Sequence, residues 1–125
     1  MVENIYNMAI IKIKNLRLRT IIGINIEERE KLQDIVINIK IKYNDIGAVN
    51  NDNVDQAIDY KKITKNIIKF VEGSHFYMLE KLVDEVIILI MQDEKVLKTQ
   101  VTIDKPHALR FADSVSVTKI KAKSR

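Results

Sequence analysis

The sequence predicts an α+β fold: a four-stranded antiparallel sheet with two helices on one face, in the order ββααββ. Three observations predict it. Gln33–Tyr43 alternates apolar and polar residues, two consecutive stretches carry apolar stripes at helical spacing, and further alternating stretches lie on both sides of that helix pair. Strands that flank a helix pair in this way pack as a sheet layer beneath a helix layer. The 125 residues read as one domain, long enough to bury roughly two thirds of the unfolded surface.

Residues 1–8 show no clear period and are expected to be loosely held. From Ile11 and Ile13 the alternation changes phase, so that Leu16 and Leu18 carry it on. A slip of this kind at Asn15 predicts a bulge or a break between strands. This strand region is expected to end near Gly23, and Asn25–Lys31, with Glu27, Glu28 and Glu30, reads as a charged connection.

In Gln33–Tyr43, Ile35, Ile37, Ile39 and Ile41 share one face; Asp34, Asn38, Lys40 and Lys42 share the other. Period two over this length means one dry face and one wet face. Asn44–Asn53, rich in asparagine and aspartate around Gly47, reads as a loop. Tyr60, Ile63, Thr64, Ile67, Ile68 and Val71 then make one helix stripe, with Asp59 as N-cap and Gly73 as stop. Leu79, Leu82, Val83, Val86, Ile87 and Ile90 make the second. Asp93–Lys95 is a turn, and strands around Leu97–Asp104 and Ala112–Ile120 close the chain.

On the second sheet face Asn38, Lys40, Lys42, Lys98, Gln100, Thr102, Ser114, Ser116 and Thr118 are expected to make a continuously polar surface. Solvent exposure accounts for this, since antiparallel sheets tolerate one wet face. Pairing of the two sheet edges between identical subunits, which would close a barrel around a wet interior, accounts for it equally.

Bulk properties exclude several classes. With no cysteine, neither a disulfide framework nor a thiolate metal site is available. The longest apolar run, Val86–Met91, is too short to span a bilayer. The N-terminus lacks the pattern of a secretory signal, so a cytoplasmic location is expected. His75 and His107 are the only histidines and HExxH spacing is absent, so no protein metal site is expected. Phosphate-cradling glycine motifs are absent too. Of the net charge of +4, part lies in Lys119, Lys121, Lys123 and Arg125, expected to form a solvated end.

The candidate chemical residues cluster late in the chain. Pro106 favours an extended backbone at Lys105, which places that lysine at a strand end, held by the sheet. A lysine so held serves as a general acid or base when its surroundings tune it, and as a solvated charge otherwise. Glu80 opens the second helix, where the helix N-terminus favours a carboxylate; it would also accept two parallel hydrogen bonds from an amidine-like ligand edge. Arg17, Arg19 and Arg110 suit a phosphate or a solvated face equally.

Taken together, KNLRLR at Lys14–Arg19, Gly23-Ile24, QDIVIN at Gln33–Asn38, Tyr60, TKNII at Thr64–Ile68, LEKL at Leu79–Leu82, and IDK followed by HALRFADSVS at Ile103–Ser116 resemble the dihydroneopterin aldolase family of pterin metabolism. The likeness runs from Ile11 to Thr118, and HALRFADSVS is similar to the dihydroneopterin triphosphate 2'-epimerase branch rather than to the aldolases. The resemblance implies the tunnelling fold: four antiparallel strands, two outer helices, and subunits joined edge to edge into tetrameric rings that stack as an octamer. It implies sites between subunits, with Glu80 gripping the amino-pyrimidine edge of a pterin and Lys105 as acid/base. Tyr60 would arrive from the neighbouring subunit and Glu28 would stand near the site, with Leu79 and Ile58 as further substrate contacts.

The implied reaction is inversion at C2' of 7,8-dihydroneopterin triphosphate through retro-aldol cleavage and re-addition. The aldolase alternative releases glycolaldehyde and 6-hydroxymethyl-7,8-dihydropterin. The dihydropterin imine is its own electron sink, so the resemblance implies no cofactor. Arg17, Arg19 or Arg110, with Arg110 favoured, would hold the triphosphate. Two readings from other classes stand beside this one. A small basic nucleic-acid-binding domain would suit a pI near 9.2, although only 6% of residues are aromatic and the strands lack a stacking pattern. A non-catalytic ring-forming subunit is the other.

Overall fold

Four isoleucines at every second position decide the sheet. In the computed structural model, which describes residues 8–124, Ile35, Ile37, Ile39 and Ile41 of β2 (Gln33–Asn44) are buried, while the residues between them face outward. Around β2 the sheet is antiparallel in the order β1-β2-β3-β4, with β1 at Met8–Thr20, β3 at Val96–Lys105 and β4 at Val115–Ala122. β1 and β4 are the two edges.

The phase slip in β1 is a bulge within one strand. Pairing with β2 runs from Met8 opposite Asn44 to Thr20 opposite Gln33, and the register shifts between Ile13 and Leu16. Asn15 takes up the extra residue at φ 55°, a left-handed conformation that asparagine tolerates. Its amide donates to Asn38 Oδ1 at 2.9 Å, and Asn38 Nδ2 donates back to Asn15 Oδ1 at 3.3 Å. The bulge lets Ile11 and Ile13 before it, and Leu16 and Leu18 after it, all pack against the core.

Two helices cover the dry face. In α3 (Tyr60–Glu72), Asp59 caps the start by accepting from the Lys62 amide at 3.0 Å, and Ile63, Ile67 and Val71 are buried. Tyr60 departs from the expected stripe: it stands in the first turn, half exposed at 52%. In α4 (Leu79–Met91) the whole expected stripe is buried, and the helix packs on β3, β4 and α3. Buried Thr20 and Ser74 tie the end of β1 to the α3–α4 connection: the Thr20 hydroxyl is 3.0 Å from both the Ser74 carbonyl and hydroxyl oxygens.

Several expected boundaries move. The charged connection Asn25–Lys31 contains a short helix, α1 (Ile26–Glu30), whose first turn is favoured by Glu27 and Glu28. The asparagine-rich segment contains α2 (Ile46–Asn51), followed by a 3₁₀ turn at Val54–Gln56. The asparagines and aspartates there cap helical turns: Asn44 Oδ1 accepts from the Ile46 amide, and Asp52 ends α2 at φ 45°. The last strand starts at Val115, because the Ser114 hydroxyl donates to Asp104 Oδ2 at 2.7 Å and holds the preceding loop.

Lys119 and Lys121 belong to β4 and do not form a free basic end; Lys119 Nζ lies 2.6 Å from Asp84 Oδ1 on α4. Arg125, and all of the expected loose start except Met8, lie outside the described residues. Among the described residues, no helix is long and apolar enough to cross a membrane.

This packing predicts a contrast. Leu82→Ala, at a fully buried position of α4, is expected to lower unfolding stability by about 2–5 kcal/mol. Lys119→Ala, which breaks a half-exposed ion pair, is expected to lower it by about 1 kcal/mol or less. Denaturant unfolding of the two variants checks the order.

Candidate active site

The antiparallel order brings three connections to one end of the sheet. The β1–β2 connection, the β3–β4 connection and the α3–α4 connection meet there, since Lys105 ends β3 beside Val115, the first residue of β4, and the Gly23 amide donates to the Phe76 carbonyl at 3.2 Å. A cleft of about 310 Å³ opens between them, lined by Glu28, Tyr77, Leu79, Glu80, Lys105 and Val115 among others.

Glu28, on α1, is held at both carboxylate oxygens. Oε1 accepts the Ile24 amide at 3.1 Å and the Asn25 amide at 3.2 Å, while Oε2 accepts Lys105 Nζ at 2.8 Å. The two side chains are only 23% and 13% exposed. The hydrogen bond from Lys105 is the chief reason that the Glu28 carboxyl stays below its ordinary pKa of 4.5; burial opposes that lowering, and the Asn25 amide, the lysine's charge and the Ile24 amide reinforce it. A carboxylate in place fixes the Lys105 ammonium at the cleft wall without the freedom of an exposed lysine.

Gly23 makes this approach possible. Its φ of 132° is open to glycine, and a Cβ at this position would fall on the Glu28 carboxylate. Arg29 secures the same loop from below. Its guanidinium donates to the carbonyls of Gly23 (3.2 Å), Phe76 (3.0 Å) and His75 (2.6 Å), and it stacks 4.0 Å from the Tyr77 ring. Gln33 Nε2 adds a donation to the Ile22 carbonyl.

Glu80 reaches the cleft from the first turn of α4, where the helix N-terminus favours its negative charge. It is exposed, and among the described residues its carboxylate accepts no side-chain or backbone hydrogen bond that would tie it down. Leu79 beside it is buried and forms part of the apolar wall. Chemically the cleft offers a free acceptor carboxylate at one point and a clamped lysine at another, with apolar surface between them.

Of the residues singled out in the sequence, Glu28, Leu79, Glu80 and Lys105 therefore share one cleft within a single chain. The others stand elsewhere. Ile58 is buried in the core before α3, and Tyr60 at the start of α3 is outside the lining. Arg17 and Arg19 project from the polar side of β1 into a separate groove of about 420 Å³ shared with Asp34, Pro106 and His107. Arg19 Nε is 3.3 Å from Asp34 there. Arg110 lies in the β3–β4 connection with its guanidinium 5.7 Å from the Phe111 ring, which is 97% exposed. Arg29, Tyr77 and the Ile24 and Asn25 amides were absent from the expected site. The one signal for them is a Glu three residues after an Asn before a short charged run, which is capping-box spacing.

A family model described as dihydroneopterin aldolase matches residues 11–119, and the chain belongs to that family. It is 50% identical over 110 residues to the dihydroneopterin triphosphate 2'-epimerase of Escherichia coli strain K12, covering 88% of this chain and 92% of that protein. It is 47% identical over 111 residues to the protein of the same name from Pseudomonas aeruginosa, covering 89% and 90%. The crystal structure of E. coli dihydroneopterin aldolase in complex with neopterin superposes with a TM-score of 0.86 at 25% identity, covering 91% of this chain and 99% of that one.

A carboxyl group held below its ordinary pKa contributes stability that is complete above that ordinary value and is lost as pH falls through the lowered one. Glu28→Gln is therefore expected to be less stable than the unsubstituted protein near neutrality. The gap should close as pH falls below 4.5. Unfolding curves of both proteins through the acid range check this; a gap that widens toward acid contradicts it.

Proposed function

We propose that this chain is a dihydroneopterin triphosphate 2'-epimerase, inverting C2' of 7,8-dihydroneopterin triphosphate to give dihydromonapterin triphosphate. The observation that carries the reading is the cleft that joins Glu80 to Lys105, in a chain 47–50% identical to epimerases along nearly its whole length. The pterin's amino-pyrimidine edge pairs with Glu80 through two parallel donors, worth more than neutral hydrogen bonds because the acceptor is charged. Lys105, held by Glu28, faces the side chain of the bound pterin.

The reaction needs little from the protein. As the 2'-hydroxyl loses its proton, the C1'–C2' bond breaks, C2' becomes an aldehyde carbon, and the electron pair passes through C6 to N5 of the ring. N5 takes up the proton. Lys105, directly or through one water, carries that proton from the hydroxyl to N5 and is left in its original protonation state. Re-addition of C1' to the opposite face of the retained aldehyde inverts C2' and returns the proton. Release of the aldehyde at the intermediate stage is aldolase chemistry, so retention of the phosphorylated fragment separates the two outcomes. Arg17, Arg19 and Arg110 are the candidates for holding it. The Arg17–Arg19 groove supports the first two, because it reaches Pro106 and His107, next to Lys105.

The working enzyme is proposed to be a cytoplasmic homo-oligomer of single-domain chains. Subunits join edge to edge into tetrameric rings, which stack as an octamer. Support comes from the two open edges, β1 and β4, and from Tyr60, exposed at the start of α3 and outside its own chain's cleft. In this arrangement a neighbouring subunit supplies Tyr60, and with it the Ile58 segment, to complete the pterin site.

Incubation with dihydroneopterin triphosphate, and separately with dihydroneopterin, followed by product separation tests the proposal. The inverted triphosphate is expected as the main product. Accumulation of 6-hydroxymethyl-7,8-dihydropterin with no inverted isomer would reassign the chain as an aldolase. Lys105→Ala is expected to lower kcat by roughly 10²–10⁴-fold, whereas Glu80→Gln is expected to act on KM, by roughly tenfold or more. Steady-state kinetics separate the two effects, and unchanged turnover in Lys105→Ala would remove the proposed acid/base.

A further inference from the structure

The face of the sheet turned away from the helices holds an arrangement that the pterin cleft does not use. On that face Lys12 of β1 stands directly opposite Lys40 of β2, and one step along, Lys42 of β2 stands directly opposite Lys98 of β3. Directly opposed residues on neighbouring antiparallel strands have Cβ atoms about 4.5–5.5 Å apart, and like charges so placed are destabilising. Lys14 adds a fifth cation at the bulge. Among the described residues none of these five lysines is in a salt bridge, and the acids on the same face, Asp34 and Asp104, lie toward its far end, engaged with Arg19 and Ser114.

The shape of the surface matches the charge. Two adjoining depressions, of about 450 and 190 Å³, share Lys40 and Gln100 and together take in all five lysines. Asn38, Gln100 and Thr102 line the first of them with neutral hydrogen-bonding groups. Lys105 points away from this surface: it lies on the side of β3 that carries buried Val101 and Ile103, whereas Lys40 and Lys42 alternate with buried Ile39 and Ile41 and face the other way.

We infer that this lysine block is a second anion site, distinct from the pterin cleft, that binds an oligophosphate bridging the Lys12–Lys40 and Lys42–Lys98 pairs. A chain of linked phosphates offers several charges at fixed spacing and reaches both pairs at once; a single phosphate reaches one. Binding converts two repulsive cross-strand pairs into bridged ones, so the ligand stabilises the sheet by relieving charge repulsion within β1, β2 and β3. In an edge-to-edge ring the same block would repeat once per subunit, but the site is complete in one chain.

Thermal unfolding of the full-length protein with inorganic tripolyphosphate, against sodium chloride of equal ionic strength and against orthophosphate, provides the test. Tripolyphosphate is expected to raise the melting temperature by several degrees in a saturable manner, and orthophosphate at equal concentration much less. Lys40→Gln/Lys42→Gln is expected to melt higher than the unsubstituted protein without ligand, because repulsion is removed, and to bind tripolyphosphate at least tenfold more weakly by calorimetry. Its KM for dihydroneopterin triphosphate is expected to stay unchanged. Lys12→Gln/Lys98→Gln, which takes one lysine from each pair, is expected to behave in the same way.

No stabilisation beyond that of matched salt overturns the inference, as does an equal response to orthophosphate. Retention of full tripolyphosphate binding in both double variants places the anion elsewhere and also overturns it. A KM that rises together with loss of tripolyphosphate binding assigns the lysines to the substrate's own phosphates, which removes the second site while leaving the epimerase reading intact.

Discussion

One carboxylate joins two distant parts of the chain at the end of the sheet that holds the cleft. Glu28 receives two backbone amides on one oxygen and the ammonium of Lys105 on the other, so the β1–β2 connection and the end of β3 are fixed relative to each other through a single side chain. Arg29, the next residue, binds the carbonyls of the α3–α4 connection and so brings the start of α4, with Glu80, into the same frame. A short helix whose own burial is slight thereby sets the spacing between Lys105 and Glu80, the two groups proposed to act on the pterin. Removing Cβ at position 23 is the condition for it, because the carboxylate occupies the space where that atom would stand.

The sheet separates two kinds of work. Its dry face, closed by α3 and α4, supplies the stability and sets the helix N-terminus beside the cleft. The opposite face holds no packed layer in one chain; its lysines gather toward one end, while Arg19 and Asp34 pair toward the other. Period-two alternation imposes that division: a side chain on β2 or β3 belongs wholly to one face or the other. The lysine of the cleft, Lys105, and the polar-face Lys98 stand on one strand yet point to opposite sides of the sheet.

Much of this was legible in the residues. The isoleucine alternation of β2 and, Tyr60 apart, the two helical stripes follow from periodicity alone, and a change of phase marked Asn15 as a bulge or a break, of which the structure has the bulge. Pro106 after Lys105 was enough to place that lysine at a strand end. Less legible were α1 and α2, because helices of five or six residues complete fewer than two turns and bury no stripe; their caps are built from the same asparagines and acids that mark loops. The role of Arg29 was hidden for a different reason: two of the backbone carbonyls that it binds, at His75 and Phe76, are distant in sequence, and carbonyls carry no residue identity. Glu28 and Lys105 are 77 positions apart, so only the resemblance to a family linked them before the structure did. Lys119 shows the converse, where a basic end suggested solvent and the strand continued through it.

The bulge in β1 has a bearing on association as well as on packing. A long, regular edge strand exposes an unbroken row of amides and carbonyls and templates open-ended stacking of any extended chain. In β1 the left-handed turn at Asn15, locked by reciprocal bonds to Asn38, breaks that row partway along and bends it. An extended chain can pair flush with only part of such an edge, which discourages open-ended fibril growth along β1.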